Sequence, residues 1–155
     1  MGRLIFEFMK TSFLDSEIWL PKPLEEIFHF FSDAHNLEII TPPFLRFEVL
    51  TEDPIDMREG ALIEYRIRLR GLPLRWRTRI EVWEPPHRFV DDQVKGPYRR
   101  WRHEHCFESR DNGTLCLDRV RYAVPGGPLV DRLFVRRDVG KIFEFRRKKL
   151  QELFQ

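Results

Sequence analysis

From residue 61 to residue 124 apolar side chains return at nearly every second position, the spacing that sets one face of a β-strand against a core. This alternation predicts strands at about 61–70, 74–84, 88–95, 98–109 and 114–124, with a further one at 44–51 and a first at Ile5–Leu14. Two segments keep a different period. Leu24, Ile27, Phe28 and Phe31 follow one another at helical spacing, opened by Pro21 and Pro23, which suit a first helical turn. Ser32 or Asp33 caps a second short helix that ends near Ile40, before Thr41-Pro42-Pro43. Pro128 to Phe154 is helical for about 27 residues, roughly 40 Å. The order is strand, two short helices, six strands, one long helix.

Turn residues register two hairpins. With Asn112-Gly113 as a two-residue loop, Phe107 faces Asp118, His105 faces Val120, His103 faces Tyr122 and Trp101 faces Val124. The other side then pairs Glu104 with Arg121 and Cys106 with Arg119. With Gly71-Leu72 as the loop, Leu69 faces Leu74, Ile67 faces Trp76 and Tyr65 faces Thr78. Both hairpins have one apolar and one charged face, as a half-buried antiparallel sheet requires. The C-terminal helix is the one element long enough to cover the apolar face. It is expected to do so with Leu129, Leu133, Phe134, Ile142, Phe143, Leu150 and Leu153, leaving Arg146-Arg147-Lys148-Lys149 to solvent.

Composition narrows the classes. At 155 residues a single domain spanning 1–155 is expected. A hydrophobic share of 42% and a charged share of 34% exclude a disordered tail and a collagen-like fibre. Net charge is +2, which argues against a surface built to coat nucleic acid. Fourteen Phe and four Trp must be housed in a core or a pocket. No apolar run approaches the ~18 residues of a membrane helix, so no stable membrane insertion is expected. Glu7 and Lys10 interrupt any signal peptide, and Phe6 stands where a myristoylation signal needs Ser or Thr. Cys106 outside and Cys116 inside make neither a bridge nor a zinc site. A cytoplasmic location is expected, and a homodimer is left open.

Several motifs together carry a resemblance. Asn36-Leu37 with Ile40-Thr41-Pro42, Gly96-Pro97-Tyr98 with Trp101 and His103-Glu104-His105, and Asp118-Arg119-Val120-Arg121-Tyr122 with Pro125 resemble the SRPBCC ligand-binding family. This is the START-like superfamily, which also holds polyketide cyclase/dehydrase-like proteins and the Bet v 1-like pollen-allergen group. The resemblance implies an α+β helix-grip fold: seven curved antiparallel strands around a long C-terminal helix, two short helices between strands 1 and 2, and an internal hydrophobic cavity. Some relatives carry an epimerase-like label, but this chain has no nucleotide-binding Gly-rich loop to support that activity.

Within the expected cavity the polar residues matter most. The register turns His103 and His105 inward beside Trp101, Phe107, Val120 and Tyr122, with Asp118 diagonal to His105. Asp91 and Gln93 share that face if a bulge brings them into phase. A buried imidazole or carboxylate must be partnered. Three readings follow: a structural polar network, a ligand-recognition network, or an acid–base cluster of His103, His105 and Asp118. His103-x-His105 on a strand, with Asp91 or Asp118, also has metal-compatible spacing, but the surrounding rings favour a dry site; no metal or other cofactor is expected. There is no Gly-x-Ser-x-Gly elbow for a serine nucleophile.

The primary functional expectation is binding of a hydrophobic small molecule, lipid-like or aromatic, in a chamber lined by Tyr65, Trp76, Asp91, Gln93, Trp101, His103, His105, Asp118 and Tyr122. A cyclase- or dehydratase-like enzyme using the His/Asp cluster is the alternative. A third reading rests on the outer sheet face, where Arg66, Arg68, Arg70, Arg75, Arg77 and Arg79 crowd together with Glu64 and Glu81 and could dock an acidic partner. Trp76 falls inside and Trp83 alone outside, which weakens a nucleic-acid reading.

Overall fold

The computed structural model describes residues 10–155. Strand β1 (Ser12–Leu20) leads into helices α1 (Leu24–Ser32) and α2 (Asn36–Ile39), then a one-turn 3-10 helix at Pro43–Leu45. Strands β2 (Glu48–Val49), β3 (Leu62–Leu69), β4 (Leu72–Glu84), β5 (Arg88–Lys95), β6 (Arg100–Arg110) and β7 (Gly113–Ala123) follow. The chain ends in a helical rod: α3 (Gly127–Val130), a π-helical turn (Asp131–Val135) and α4 (Arg136–Phe154). The seven strands form one antiparallel sheet in the order β1-β7-β6-β5-β4-β3-β2. This is the α+β helix-grip arrangement that the resemblance implies.

The first half of the first expected strand, Ile5–Leu14, lies outside the described residues. The strand seen runs to Leu20, with Ile18 and Leu20 buried against β7. Of the strand expected at 44–51 only Glu48–Val49 pairs, because the 3-10 turn consumes its start.

Both hairpins turn one residue earlier than the turn signals suggest. Arg70-Gly71 and Asp111-Asn112 occupy the corners, all four with positive φ, the backbone that a tight two-residue hairpin loop needs. Leu72 would be poorly suited to that conformation, and Gly113 serves another purpose. A Cβ on Gly113 would collide with the Leu20 carbonyl oxygen and the Trp19 ring. The true pairs are Phe107 with Cys116, His105 with Asp118, His103 with Val120 and Trp101 with Tyr122. Outside, Glu104 faces Arg119 and Cys106 faces Leu117. In the other hairpin Leu69 faces Leu72, Ile67 faces Leu74 and Tyr65 faces Trp76. Each pairing has moved by two residues, so these paired side chains stay on their expected faces.

The rod departs further from expectation. Its buried stripe is Val139, Phe143, Arg146 and Leu150, with Ile142 half-buried beside it. Leu129, Leu133, Phe134 and Leu153 are instead exposed. The π turn explains the first three: its i→i+5 bonding inserts a residue into the helical period and rotates the preceding turn away from the sheet. The same turn buries Asp131, which accepts a hydrogen bond from Ser12 Oγ at 2.6 Å and pairs with Arg136 at 3.3 Å.

Leu24, Ile27, Phe28 and Phe31 of α1 are all buried, as their spacing requires. They pack with Ile18, Leu20, Phe89, Phe107 and Leu150 into one end of the core. A second cluster joins Trp101, Val120 and Tyr122 of the sheet to Val139 and Phe143 of α4. Trp83 turns inward rather than outward, 5.4 Å from the Phe28 ring and 5.7 Å from Phe89. A register shift in β4 between Ile80 and Val82 changes its face.

Candidate functional site

Strands β5, β6 and β7 lie side by side, and each contributes to a buried polar cluster beneath α4. His103 and His105 are two residues apart on β6, so both point to the concave face. Asp91 on β5 sits opposite His103, and Asp118 on β7 sits opposite His105. The hydrogen bonds cross diagonally. His103 Nε2 meets Asp118 Oδ1 at 2.7 Å, and His105 Nε2 meets Asp91 Oδ2 at 2.7 Å. The imidazole rings lie 3.7 Å apart, and His105 stacks on Phe89 at 4.1 Å.

The fifth member comes from the rod. Arg146 belongs to a run of four basic residues, yet it is buried, one turn before Leu150 on the inward stripe. Its Nη2 lies 3.4 Å from both Asp118 Oδ1 and His105 Nδ1. Its guanidinium rests near the faces of Phe31 and Phe143, at 5.2 and 5.7 Å. The Nε atom is buried and has no hydrogen-bond partner. Asp118 Oδ1 therefore gathers His103 Nε2, Arg146 Nη2 and, at 3.3 Å, His105 Nδ1.

Charge balance assigns the protonation states. Burial opposes ionisation of Asp118, but Arg146 and the two histidine bonds outweigh it and hold its carboxyl well below the usual range. Asp91 is likewise kept low against its burial, chiefly by the His105 bond. Two carboxylates are then matched by Arg146 and one further cation. Burial works against charge on His105 too, but its bonds to Asp118 and Asp91 prevail and its pKa rises. His103, desolvated and beside that second imidazole, falls to about 4 and is neutral near pH 7. Neutral His103 donates from Nε2 to Asp118, which leaves Nδ1 as its free acceptor. When His105 is protonated, the acceptor for Arg146 is the carboxylate and not the imidazole.

A cavity of about 150 Å³ opens beside this cluster. Of the expected lining residues, Tyr65, Trp76, Asp91, Trp101, His103 and His105 border it. Asp118, Gln93 and Tyr122 do not. Asp118 braces the histidines from behind. The Gln93 amide is spent on the β5–β6 loop, donating to the Tyr98 carbonyl at 2.7 Å and accepting from its N–H at 3.3 Å. Tyr122 is buried under Trp101 and Tyr98. Sequence reasoning missed Arg146, Thr78, Tyr98, Ile142 and the α2-side wall of Leu37, Thr41, Leu45 and Phe47. Past Leu69, Pro97 and Tyr98 a second cleft of about 220 Å³ continues toward Phe134.

The donor atoms of Asp91, His103 and His105 lie within 4.8 Å of one another, close enough to share one divalent ion. Such an ion would have to replace the His105–Asp91 proton and sit beside the Arg146 guanidinium, so the cluster's electrostatics favour a hydrogen-bonded network. Neither thiol adds a nucleophile: burial pushes Cys116 up to about 12 and raises Cys106 also. On the outer face Arg66 and Arg77 are ion-paired with Glu48 and Glu64, and Arg102 takes Glu81, whereas Arg70, expected on that face, sits at the hairpin corner and turns to Asp138 of α4. That crowd of arginines is thus partly neutralised within the fold.

The fold thus leaves a cavity between a curved sheet and a long helix, with polar groups at one end. Residues 20–144 match the family described as polyketide cyclase / dehydrase and lipid transport, and the chain belongs to that family. Solved structures agree on the fold. TTHA0849 from Thermus thermophilus is 24% identical, with 91% of this chain and 95% of that one covered at a TM-score of 0.61. The Zhui aromatase/cyclase from Streptomyces sp. R1128 is 13% identical, covering 91% and 92% at 0.70. Ara h 8.0201 is 15% identical, covering 94% and 98% at 0.70. No curated protein sequence shows significant similarity. Among the described residues no helix is long and apolar enough to cross a membrane.

Proposed function

We propose that the chain binds a small hydrophobic molecule whose buried end is a single ring carrying a hydrogen-bond-accepting oxygen. The observation that carries this reading is Arg146 Nε, a buried donor without a partner on a residue that borders the cavity. An unmet buried donor costs free energy, and a carbonyl or phenolic oxygen in the cavity would satisfy it. The volume supports the size: an apolar cavity of ~150 Å³ accommodates benzene. Trp76, Trp101, Tyr65 and Phe47 offer aromatic walls for such a ring. A larger aromatic or acyl ligand would extend through the adjoining cleft. Native mass spectrometry of the purified chain is expected to reveal a co-purifying small molecule, or thermal shift a response to aromatic carbonyl compounds. A chain that binds none of these contradicts the reading.

An acid–base enzyme is the second reading, favoured by the neutral His103 held by Asp118. A pKa of about 4 makes that imidazole a weak base near neutral pH. Binding is therefore preferred.

A further inference from the structure

The first turns of the C-terminal rod expose Leu133 and Phe134, each at least half accessible to solvent. The 3-10 turn after α2 exposes Phe44 to a similar degree. These three side chains line one open groove of about 680 Å³ together with Arg70, Arg137 and Lys141. Asp138 is the groove's acid, and it is already paired with Arg70 at 3.1 Å. Among the described residues neither Arg137 nor Lys141 has an ion-pair partner, so the groove keeps two free cations one helical turn apart. Leu69 is common to this groove and to the interior cavity wall, and the smaller cleft beyond it shares Arg70, Phe134 and Asp138 with the groove, so the groove lies at the cavity's end of the molecule.

Scattered exposed apolar residues need no explanation, but apolar side chains gathered in one groove and flanked by cations do. A second copy of the chain fits poorly. Self-complementary pairing would put the cations of both copies into one interface, and the groove's one acid, Asp138, is already paired with Arg70. An anionic bilayer fits both features: leucine and phenylalanine enter the boundary between headgroups and acyl chains while the cations meet lipid phosphates.

We propose that this rim docks reversibly on the surface of an anionic membrane, setting the cavity's end of the molecule against the bilayer. The proposal goes beyond the ligand-binding reading and does not depend on it, since docking and cavity occupancy are read separately. The test is co-sedimentation of the full chain with vesicles of phosphatidylcholine alone or mixed with phosphatidylserine. Expected are binding to the mixed vesicles only, release by salt, and at least a tenfold loss on Arg137→Glu/Lys141→Glu or on Leu133→Ser/Phe134→Ser. Arg75→Glu/Arg79→Glu, on the outer sheet face, is expected to change binding far less. Far-ultraviolet circular dichroism verifies that these surface variants stay folded. Failure to bind mixed vesicles overturns the proposal, as does equal binding to neutral ones or an equal loss in the sheet-face variant. So does a dimer abolished by Phe134→Ser in a chain that ignores vesicles, which would assign the rim to a second copy.

Discussion

Arg146 on the C-terminal helix and Asp118 on β7 form an ion pair at 3.4 Å, each with less than a tenth of its surface exposed. This contact ties the rod to the sheet directly behind the two histidines. It also sets the charge of the cluster, because Asp118 and Asp91 together require two cations and Arg146 supplies one.

Removing Arg146 leaves an uncompensated carboxylate in the core. Arg146→Met is expected to destabilise the chain by about 3–5 kcal/mol, the usual cost of breaking a buried pair from one side. Arg146→Met/Asp118→Asn is expected to recover part of that loss. Urea unfolding checks both; a single variant within ~1 kcal/mol of the parent would mean that the pair is not a buried one.

The depressed pKa of His103 predicts a pH-dependent stability. Its folded value of about 4 lies below the ordinary 6.5, so between these values the unfolded chain binds more protons. The contribution is fully present above pH 6.5 and is lost as pH falls toward 4, on the order of 3 kcal/mol in all. Urea midpoints should therefore drop between pH 7 and pH 5. His103→Gln should flatten that slope.

His105 behaves oppositely. Its raised pKa stabilises the fold fully below 6.5, and that contribution is lost as pH rises through the folded value. Imidazole NMR at pH 7 is expected to find His105 protonated and His103 neutral. The reverse assignment would contradict the charge balance of the cluster.

Gly113 is needed for close approach and not for its turn. Gly113→Ala should cost about 1–3 kcal/mol, as overpacking does, because its Cβ would strike the Leu20 carbonyl and the Trp19 ring. A neutral result in urea unfolding would show that β1 can yield there.

Much of this site is legible from parity alone. His103 and His105 share a face whatever the hairpin loop, and an error of two residues in register leaves that face unchanged. Pairing is less secure: the turn signal sets Asp118 diagonal to His105, whereas it stands opposite His105 and bonds His103. Alternation puts Trp83 outside, because a bulge resets parity with no mark in local composition. Gln93 belongs to the inner face by its strand, but a loop beyond the strand's period claims its amide. Arg146 is hidden by a basic run that looks solvated, while the π turn before α4 displaces the apolar residues of the preceding turns. The spacing of Arg146 from Val139, Phe143 and Leu150 is the available signal.

Isothermal titration of the intact chain with toluene and with benzaldehyde, similar in size but differing in an acceptor oxygen, probes the cavity and its unmet donor together. Benzaldehyde is expected to bind at least about tenfold more tightly, in line with a hydrogen bond to a charged group. Equal affinity for the two, or no binding of either, would contradict the reading of Arg146 as the ligand's anchor.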